Sequence, residues 1–248
     1  MKVIGIIPAR YDSKRFPGKV LADILGKPVI QRVYEQARKA ELLDEILVAT
    51  DNEEIFKAVE NFGGKAVMTS SSNCKSGTDR LAEVAGSLDG DIFLNIQGDE
   101  PLISPEVISE VAQTLIEDNA IEIATVARKI TTQEELNNPN VVKVVIDNDG
   151  FALYFSRAQI PYVRDFLEIR NLGSVCYKHI GLYGYKRGFL LNFALMEQGP
   201  LEKVEDLEQL RALENGYKIK VVITQRDSIG VDTREDLEKV RKILRECG

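Results

Sequence analysis

Tryptophan is absent from this 248-residue chain, histidine occurs once, and cysteine only three times. Cys74, Cys176 and Cys247 are odd in number, far apart and never arranged as CxxC. That excludes a disulfide-stapled scaffold and a thiolate metal cluster, and points to reduced thiols. With His179 alone, and a solitary histidine usually serving packing, a histidine-based acid–base mechanism is not expected. Long apolar runs are missing too: nothing approaches the ~18 residues that cross a bilayer. The apolar stretch between Lys2 and Pro8 is too short for the core of a secretion signal, and Arg10 closes it. The expectation is a soluble, cytoplasmic protein with no membrane partner. Positive charge is not in surplus either. Lys+Arg number 32 against 39 Asp+Glu, a net charge of −7, so no nucleic-acid partner is expected. Neither GxGxxG nor GxxxxGK[ST] occurs, so the dinucleotide fingerprint and the P-loop are both absent.

What is present is an ordinary globular composition, 44% hydrophobic and 29% charged. Short β-branched runs alternate with helical periodicity. Residues 2–8, 45–50, 65–68 and 91–96 read as strands. Residues 28–40, 52–62, 77–86 and 105–117 read as helices, the second capped by Asp51 or Asn52. Such βα units predict an α/β fold of three layers, with a mostly parallel central sheet covered on both faces. The pattern then changes. Residues 122–126, 141–147, 151–155 and 175–185 read as strands with few helices between them, and Asn148-Asp149-Gly150 as a hairpin turn. A mixed sheet edge or β-rich insertion is expected there. Residues 188–196 and 201–215 read as helices, 218–224 as a strand, and Thr233 onward as an amphipathic helix. With no repeat, low-complexity tract or linker, residues 1–248 read as a single domain with an insertion near 150–190.

Ligands of open parallel sheets bind at the carboxyl ends of the strands. The loop Pro8-Ala9-Arg10-Tyr11-Asp12-Ser13-Lys14-Arg15-Phe16-Pro17-Gly18-Lys19 gathers Arg10, Lys14, Arg15 and Lys19 directly after the first strand. Backbone N–H groups with Arg and Lys suit a polyphosphate. The plainer alternative is a solvated basic loop, but the position favours phosphate. Gln97-Gly98-Asp99-Glu100-Pro101 follows another buried strand. Its adjacent acids suit Mg2+, which takes one or two carboxylates beside phosphates, or else one of them caps the next helix. In Gly230-Val231-Asp232-Thr233, either Asp232 or Thr233 reads as an N-cap, with Glu235 or Asp236 in the first turn. A second metal carboxylate is the sharper reading, and spacing does not choose between them. Ser76-Gly77-Thr78-Asp79-Arg80 opens a helix and suits a ribose or base, or a plain cap. Arg157, Tyr183 and Tyr185 suit a sugar or carboxylate pocket, or ordinary packing.

Taken together, these segments resemble a known family. The first loop with its preceding Ile6-Ile7, Val48-Ala49-Thr50-Asp51, Ser76-Gly77-Thr78-Asp79-Arg80 and Asn95-Ile96-Gln97-Gly98-Asp99-Glu100-Pro101 are collinear with it. So are Asn140-Val141-Val142-Lys143, Tyr154-Phe155-Ser156-Arg157, His179-Ile180-Gly181-Leu182-Tyr183-Gly184-Tyr185 and Gly230-Val231-Asp232-Thr233. The chain resembles the 3-deoxy-manno-octulosonate cytidylyltransferases over essentially its whole length. The first loop alone also fits CMP-sialic acid synthetases; the later segments favour the former.

The resemblance implies a nucleotide-diphospho-sugar transferase fold. It implies transfer of CMP from CTP to 3-deoxy-D-manno-octulosonate (KDO) with release of pyrophosphate, activating KDO for lipopolysaccharide biosynthesis. It implies Mg2+ as cofactor and a homodimer, with the segment near 150–190 at the interface. By the same resemblance Arg10 and Lys19 hold the triphosphate, in a loop shared with Pro8, Ala9, Ser13 and Arg15. Asp99 and Asp232 hold the metal, so that Arg10, Lys19, Asp99 and Asp232 carry the catalysis. Arg80 and Gln97 meet the nucleotide, and Gln97, Arg157, His179, Tyr183, Tyr185, Glu202 and Gln209 form the KDO pocket. The stretch 163–178 matches no motif of the family. Two rival readings keep the first loop: a nucleotidyltransferase for another sugar, and a noncatalytic nucleotide sensor, which needs neither Asp99 nor Asp232.

Overall fold

The computed structural model describes residues 1–13, 15–70, 77–162 and 175–246. Lys14, Cys74, Ser76, Cys247 and residues 163–174 lie outside the described residues.

The first half follows the periodicity. Strand β1 (Val3–Ala9) alternates across the sheet: Val3 and Ile7 enter one hydrophobic cluster, Ile4 and Ile6 the other. A 3₁₀ turn (Lys19–Leu21) and a two-stranded hairpin, β2 (Asp23–Ile24) with β3 (Lys27–Pro28), lead into α1 (Val29–Ala37). Then come β4 (Glu45–Thr50), α2 (Glu53–Asn61), β5 (Ala66–Met68), α3 (Gly77–Ser87), β6 (Ile92–Asn95) and α4 (Pro105–Glu117). The cap of α2 is Asn52, whose side chain accepts from the N–H groups of Glu54 (2.9 Å) and Ile55 (3.0 Å). Asp51 is left for another partner.

The second half contains β7 (Ile123–Lys129), α5 (Gln133–Asn137), β8 (Lys143–Ile146), β9 (Ala152–Ser156) and β10 (Tyr177–Lys186). It closes with α6 (Arg187–Phe193), α7 (Pro200–Glu205), α8 (Leu210–Glu214), β11 (Ile219–Thr224) and α9 (Arg234–Glu246). Across the sheet the order is β11-β7-β10-β6-β1-β4-β5. Neighbours on this path run parallel except at β10, which is antiparallel to both β6 and β7. So β10, expected at a sheet edge or in an insertion, lies in the middle of the sheet. The β8–β9 hairpin branches from its start.

Helices α1, α4 and α9 cover one face around Ile7, Val29, Val111 and Val240. Helices α3, α6 and α8 cover the other around Ile6, Leu81, Phe189 and Leu210. This is the three-layer α/β arrangement predicted from the sequence.

One expected helix is two. Residues 201–215 divide at Asp206, which sits at φ 52°. Arg157, at the end of β9, donates from Nε to the carbonyl of Glu205 (2.8 Å) and from a terminal nitrogen to that of Asp206 (3.2 Å). A side chain from another element thus takes the carbonyls that a continuing helix would have used. Among the described residues no helix is long and apolar enough to cross a membrane.

Candidate active site

The carboxyl ends of β1 and β6 open onto a cleft of about 240 Å³ lined by Pro8, Arg10, Ser13, Lys19, Gln97 and Asp99, with Asp12, Val20, Gly77 and Gly98. Gly98 makes this convergence possible. A β-carbon there would lie 2.8 Å from the carbonyl oxygen of Pro8, so only glycine lets the two strand ends approach so closely.

The 3₁₀ turn after the basic loop aims Lys19 at two carboxylates. Its ammonium donates to Asp99 and, at 2.8 Å, to Asp232. Burial opposes the charge of Lys19, but Asp99 and Asp232 outweigh it and raise the pKa above the ordinary lysine value. Arg15 reaches Asp232 from the solvent side at 2.9 Å. The choice left open for the last loop is settled by the cap geometry. Thr233 caps α9: its hydroxyl accepts from the N–H of Asp236 (3.2 Å), and the Asp236 carboxylate accepts in return from the N–H of Thr233 (3.1 Å). Asp232 is thereby released from capping and faces Lys19. Asp99 does not cap α4 either, since Ser104 holds that position. Ala9, expected in the same loop as Lys19, is buried in the core and is not one of the residues lining the cleft.

Beside the cleft, Arg80 is buried in the first turns of α3. It pairs with Asp51 at 2.9 Å and donates to Thr69, tying α3 to the ends of β4 and β5. Gln97 donates to the carbonyl of Gly181 in β10 (3.1 Å) and so joins the cleft to the strand carrying His179. From there an aromatic row runs back along β10. Phe155, His179, Tyr183, Tyr185 and Phe189 follow one another at centroid spacings of 5.1, 5.2, 5.9 and 6.0 Å. Thr125 of β7 bonds His179 Nε2 at 2.9 Å. Burial raises the hydroxyls of Tyr183 and Tyr185 well above the usual phenol range.

Of the remaining acceptor-pocket expectations, Arg157 and Glu202 are engaged in bonds to the α7–α8 region, and Gln209 is not. Arg157 is bound to α7, as described above. The Glu202 carboxylate is taken up by Arg211, in bonds of 2.7 and 2.6 Å between two buried side chains. Gln209 is buried, and its Nε2 has no hydrogen-bond partner among the described residues. The acid that faces the aromatic row is Glu208, which accepts from Thr78 at 2.6 Å and contributes to the raised pKa of Tyr183 and Tyr185. Sequence reasoning passed over Glu208, because nothing in a stretch read as a continuous helix singles it out. It also passed over Thr125, which lies mid-strand.

Burial pushes the His179 imidazole down to about 3 from 6.5. The unfolded chain takes up a proton in that window that the folded chain refuses, so His179 lowers stability as pH falls below about 6.5. In urea denaturation, His179→Asn is expected to lose less stability than the wild type between about pH 7 and pH 5. Identical acid slopes in the two proteins would refute this origin. Glu100 acts in the opposite sense. Burial, first of all, pushes its carboxyl up to about 7, so its contribution is lost as pH rises from 4.5 toward that value.

Comparison with known proteins places this arrangement. Residues 4–219 match the family described as Cytidylyltransferase, which defines the class. A curated relative from Geotalea uraniireducens, 3-deoxy-manno-octulosonate cytidylyltransferase, is 55% identical over 99% of this chain and all of its own length. A second of the same name, from Geobacter metallireducens, is 53% identical over 97% of this chain and 96% of its own. The solved CMP:2-keto-3-deoxy-manno-octonic acid synthetase complexed with CTP superposes with a TM-score of 0.92 at 42% identity, covering 99% of each chain. A glucose-1-phosphate thymidylyltransferase from Bacillus anthracis shares the fold alone, at TM-score 0.70 and 12% identity. Within the cytidylyltransferase class, the chain belongs to the 3-deoxy-manno-octulosonate cytidylyltransferase family.

Proposed function

We propose that this chain transfers CMP from CTP to KDO, releasing pyrophosphate and yielding CMP-KDO for lipopolysaccharide biosynthesis. The observation that carries the reading is the meeting of Asp99 and Asp232 at one ammonium, that of Lys19, beside a cleft rimmed by Arg10 and Ser13. A nucleotide sensor has no need of two converging carboxylates there.

The reaction is displacement at the α-phosphorus of CTP by the anomeric hydroxyl of KDO, with pyrophosphate leaving from the opposite side. Such chemistry is governed by positioning and charge neutralisation. Arg10 and Lys19 hold the triphosphate and stabilise the charge that develops on the leaving pyrophosphate. Arg80 fixes α3, and with it Gly77 at the cleft wall, in line with the nucleotide. Gln97, Gln209 and the His179–Tyr183 row present the acceptor; the buried Nε2 of Gln209 is a donor suited to a sugar hydroxyl or carboxylate. His179 is held neutral and bonded to Thr125, which suits orientation of a ligand rather than proton transfer at neutral pH.

Asp99 and Asp232 are the residues that would hold Mg2+. The fit lies in the donor set: two carboxylates already converge on one cation, the Lys19 ammonium, and Mg2+ takes one or two carboxylates when phosphates complete its shell. Among the described residues no cluster of three metal-binding side chains exists that would suggest an all-protein cage. Bound there, Mg2+ supplies Lewis-acid neutralisation of phosphate charge. Homodimer formation through the 150–190 region is supported by the exposure of Leu153, Tyr162 and Val175, and a cytoplasmic location by the reduced-thiol composition.

The direct test is pyrophosphate release from CTP and Mg2+, with KDO and N-acetylneuraminic acid as parallel acceptors. Release with KDO alone is expected. Release with sialic acid alone overturns the acceptor assignment, and silence with both overturns the activity.

A further inference from the structure

Next to Asp99 lies a carboxyl that the reaction leaves unused. Glu100 occupies a gap between β10 and the segment that joins β11 to α9. One of its oxygens accepts from the Ser228 hydroxyl at 2.6 Å. The other lies against Gly181, where an added β-carbon would come within 3.7 Å of it. The joining segment also carries Asp232, four residues beyond Ser228. Other contacts also hold this segment, among them Arg226 with Glu106 (3.6 Å) and Asp232 with Lys19 and Arg15. Asp227 pairs with Arg128 of β7 (2.9 Å) and Lys178 of β10 (3.0 Å), and Val231 N–H donates to the carbonyl of Asp99 (2.8 Å).

Asp99 and Asp232 belong to loops far apart in the chain; Glu100 and Ser228, their respective neighbours, are 128 residues apart. Their spacing is therefore set by contacts between the loops and not by the backbone of either. The Asp227 pairs, with Arg128 and Lys178 largely buried, hold the start of the segment against β7 and β10, one residue before Ser228. The Val231 bond, with the Val231 side chain in the core, anchors the backbone of the segment against that of Asp99. The Ser228–Glu100 bond is the side-chain tie from the same segment to the residue next to Asp99. Glu100 is partly buried, and the side-chain hydrogen bond it makes, to Ser228, joins the two loops that carry Asp99 and Asp232.

We propose that Glu100, through Ser228, is a positioning residue that sets the separation of Asp99 and Asp232 and so the affinity of the site for a divalent cation. The proposal rests on the reading of Asp99 and Asp232 as the metal carboxylates. Losing a single well-formed hydrogen bond is expected to change binding by about tenfold.

The test titrates Mn2+ by electron paramagnetic resonance in the presence of CTP and without KDO, so that no turnover occurs. The variants are Ser228→Ala, Glu100→Ala, Glu100→Gln, Asp99→Asn and Asp232→Asn, with thermal midpoints recorded for each. Ser228→Ala and Glu100→Ala are expected to weaken Mn2+ about tenfold and to raise the Mg2+ needed for half-maximal rate equally, with KM for KDO unchanged. Glu100→Gln, whose amide oxygen still accepts from Ser228, is expected to stay within about twofold of wild type. Should Glu100→Ala fail to fold, Ser228→Ala, which removes one hydroxyl, decides the matter. If Ser228→Ala binds Mn2+ like wild type while Asp99→Asn and Asp232→Asn bind weakly, the clasp is packing alone and the proposal falls. If both aspartate variants bind Mn2+ like wild type, the metal reading itself fails and takes the proposal with it.

Discussion

Asp99→Asn and Asp232→Asn are each expected to lower CMP transfer about 10²–10³-fold at saturating CTP and KDO, the range seen when one preorganised charge stabiliser is removed. The effect is large because the site has so few parts. Two carboxylates meet the Lys19 ammonium, and each asparagine halves the negative charge offered to a cation there. Folding should be little affected. Asp99 and Asp232 are both partly exposed, and in either variant Lys19 keeps one carboxylate partner. The measurement is pyrophosphate release across a range of Mg2+, with circular dichroism to show that the fold is retained. Near-normal rates from a folded variant at saturating Mg2+ would sink the metal assignment.

The second large effect is on stability. Removing the Glu202 carboxylate by Glu202→Ala strands the Arg211 guanidinium in the core, where both side chains are 5% exposed. Breaking a buried pair from one side costs about 3–5 kcal/mol. For a chain of this length that is a fall in Tm of roughly 6–20 °C. A calorimetric or fluorescence melt checks it, with Glu202→Gln as the milder companion. The same variants decide where Glu202 belongs. Resemblance to the family assigned it to the KDO pocket, whereas its bonds place it at the α7–α8 junction. A lowered Tm with unchanged KM for KDO supports the structural role; a raised KM with an unmoved Tm restores the pocket role.

Where the sequence carried a local rule, the structure could be read from it. β4 and α4 have the predicted limits because a buried β-branched run and a Ser-Pro helix start are both local signals. The alternatives at Asp232 and Thr233 were equal on spacing, and only the reciprocal Thr233–Asp236 bonds separate them. α5 went unnoticed although its signal was there: Thr132 and Glu135 have the spacing of a capping box. Glu135 is drawn instead to Arg128. The β2–β3 hairpin was missed for a different reason. Its turn places Leu25 at φ 52° and Gly26 at φ 81°, and leucine at a positive φ is no turn signal. The division of the 201–215 helix was illegible in principle. Its cause, Arg157, lies some fifty residues upstream and acts only once β9 has docked. The cleft was readable because the loop after β1 supplies half of its lining. The group around the aromatic row draws Gln97, Thr125, His179 and Glu208 from separate elements, and no spacing rule links them.

The central place of β10 has a consequence for how the chain must assemble during synthesis. β6 and β7 do not pair with each other; each pairs with β10. Until Tyr177–Lys186 has been made, β6 ends the β5-β4-β1-β6 array as an open edge with unsatisfied amides, the kind of edge that recruits other chains. Roughly 80 residues separate the end of β6 from the start of β10, which at about 5–20 residues per second is about 4–16 s of exposure on the ribosome. β10 therefore joins β7 to the β5-β4-β1-β6 array late, and β11 is added at the far side of β7 later still. A truncation before Tyr177 would leave one open-edged array, with β7 deprived of both its partners, in place of a shortened enzyme, and ribosome-associated chaperones would be needed most in that interval.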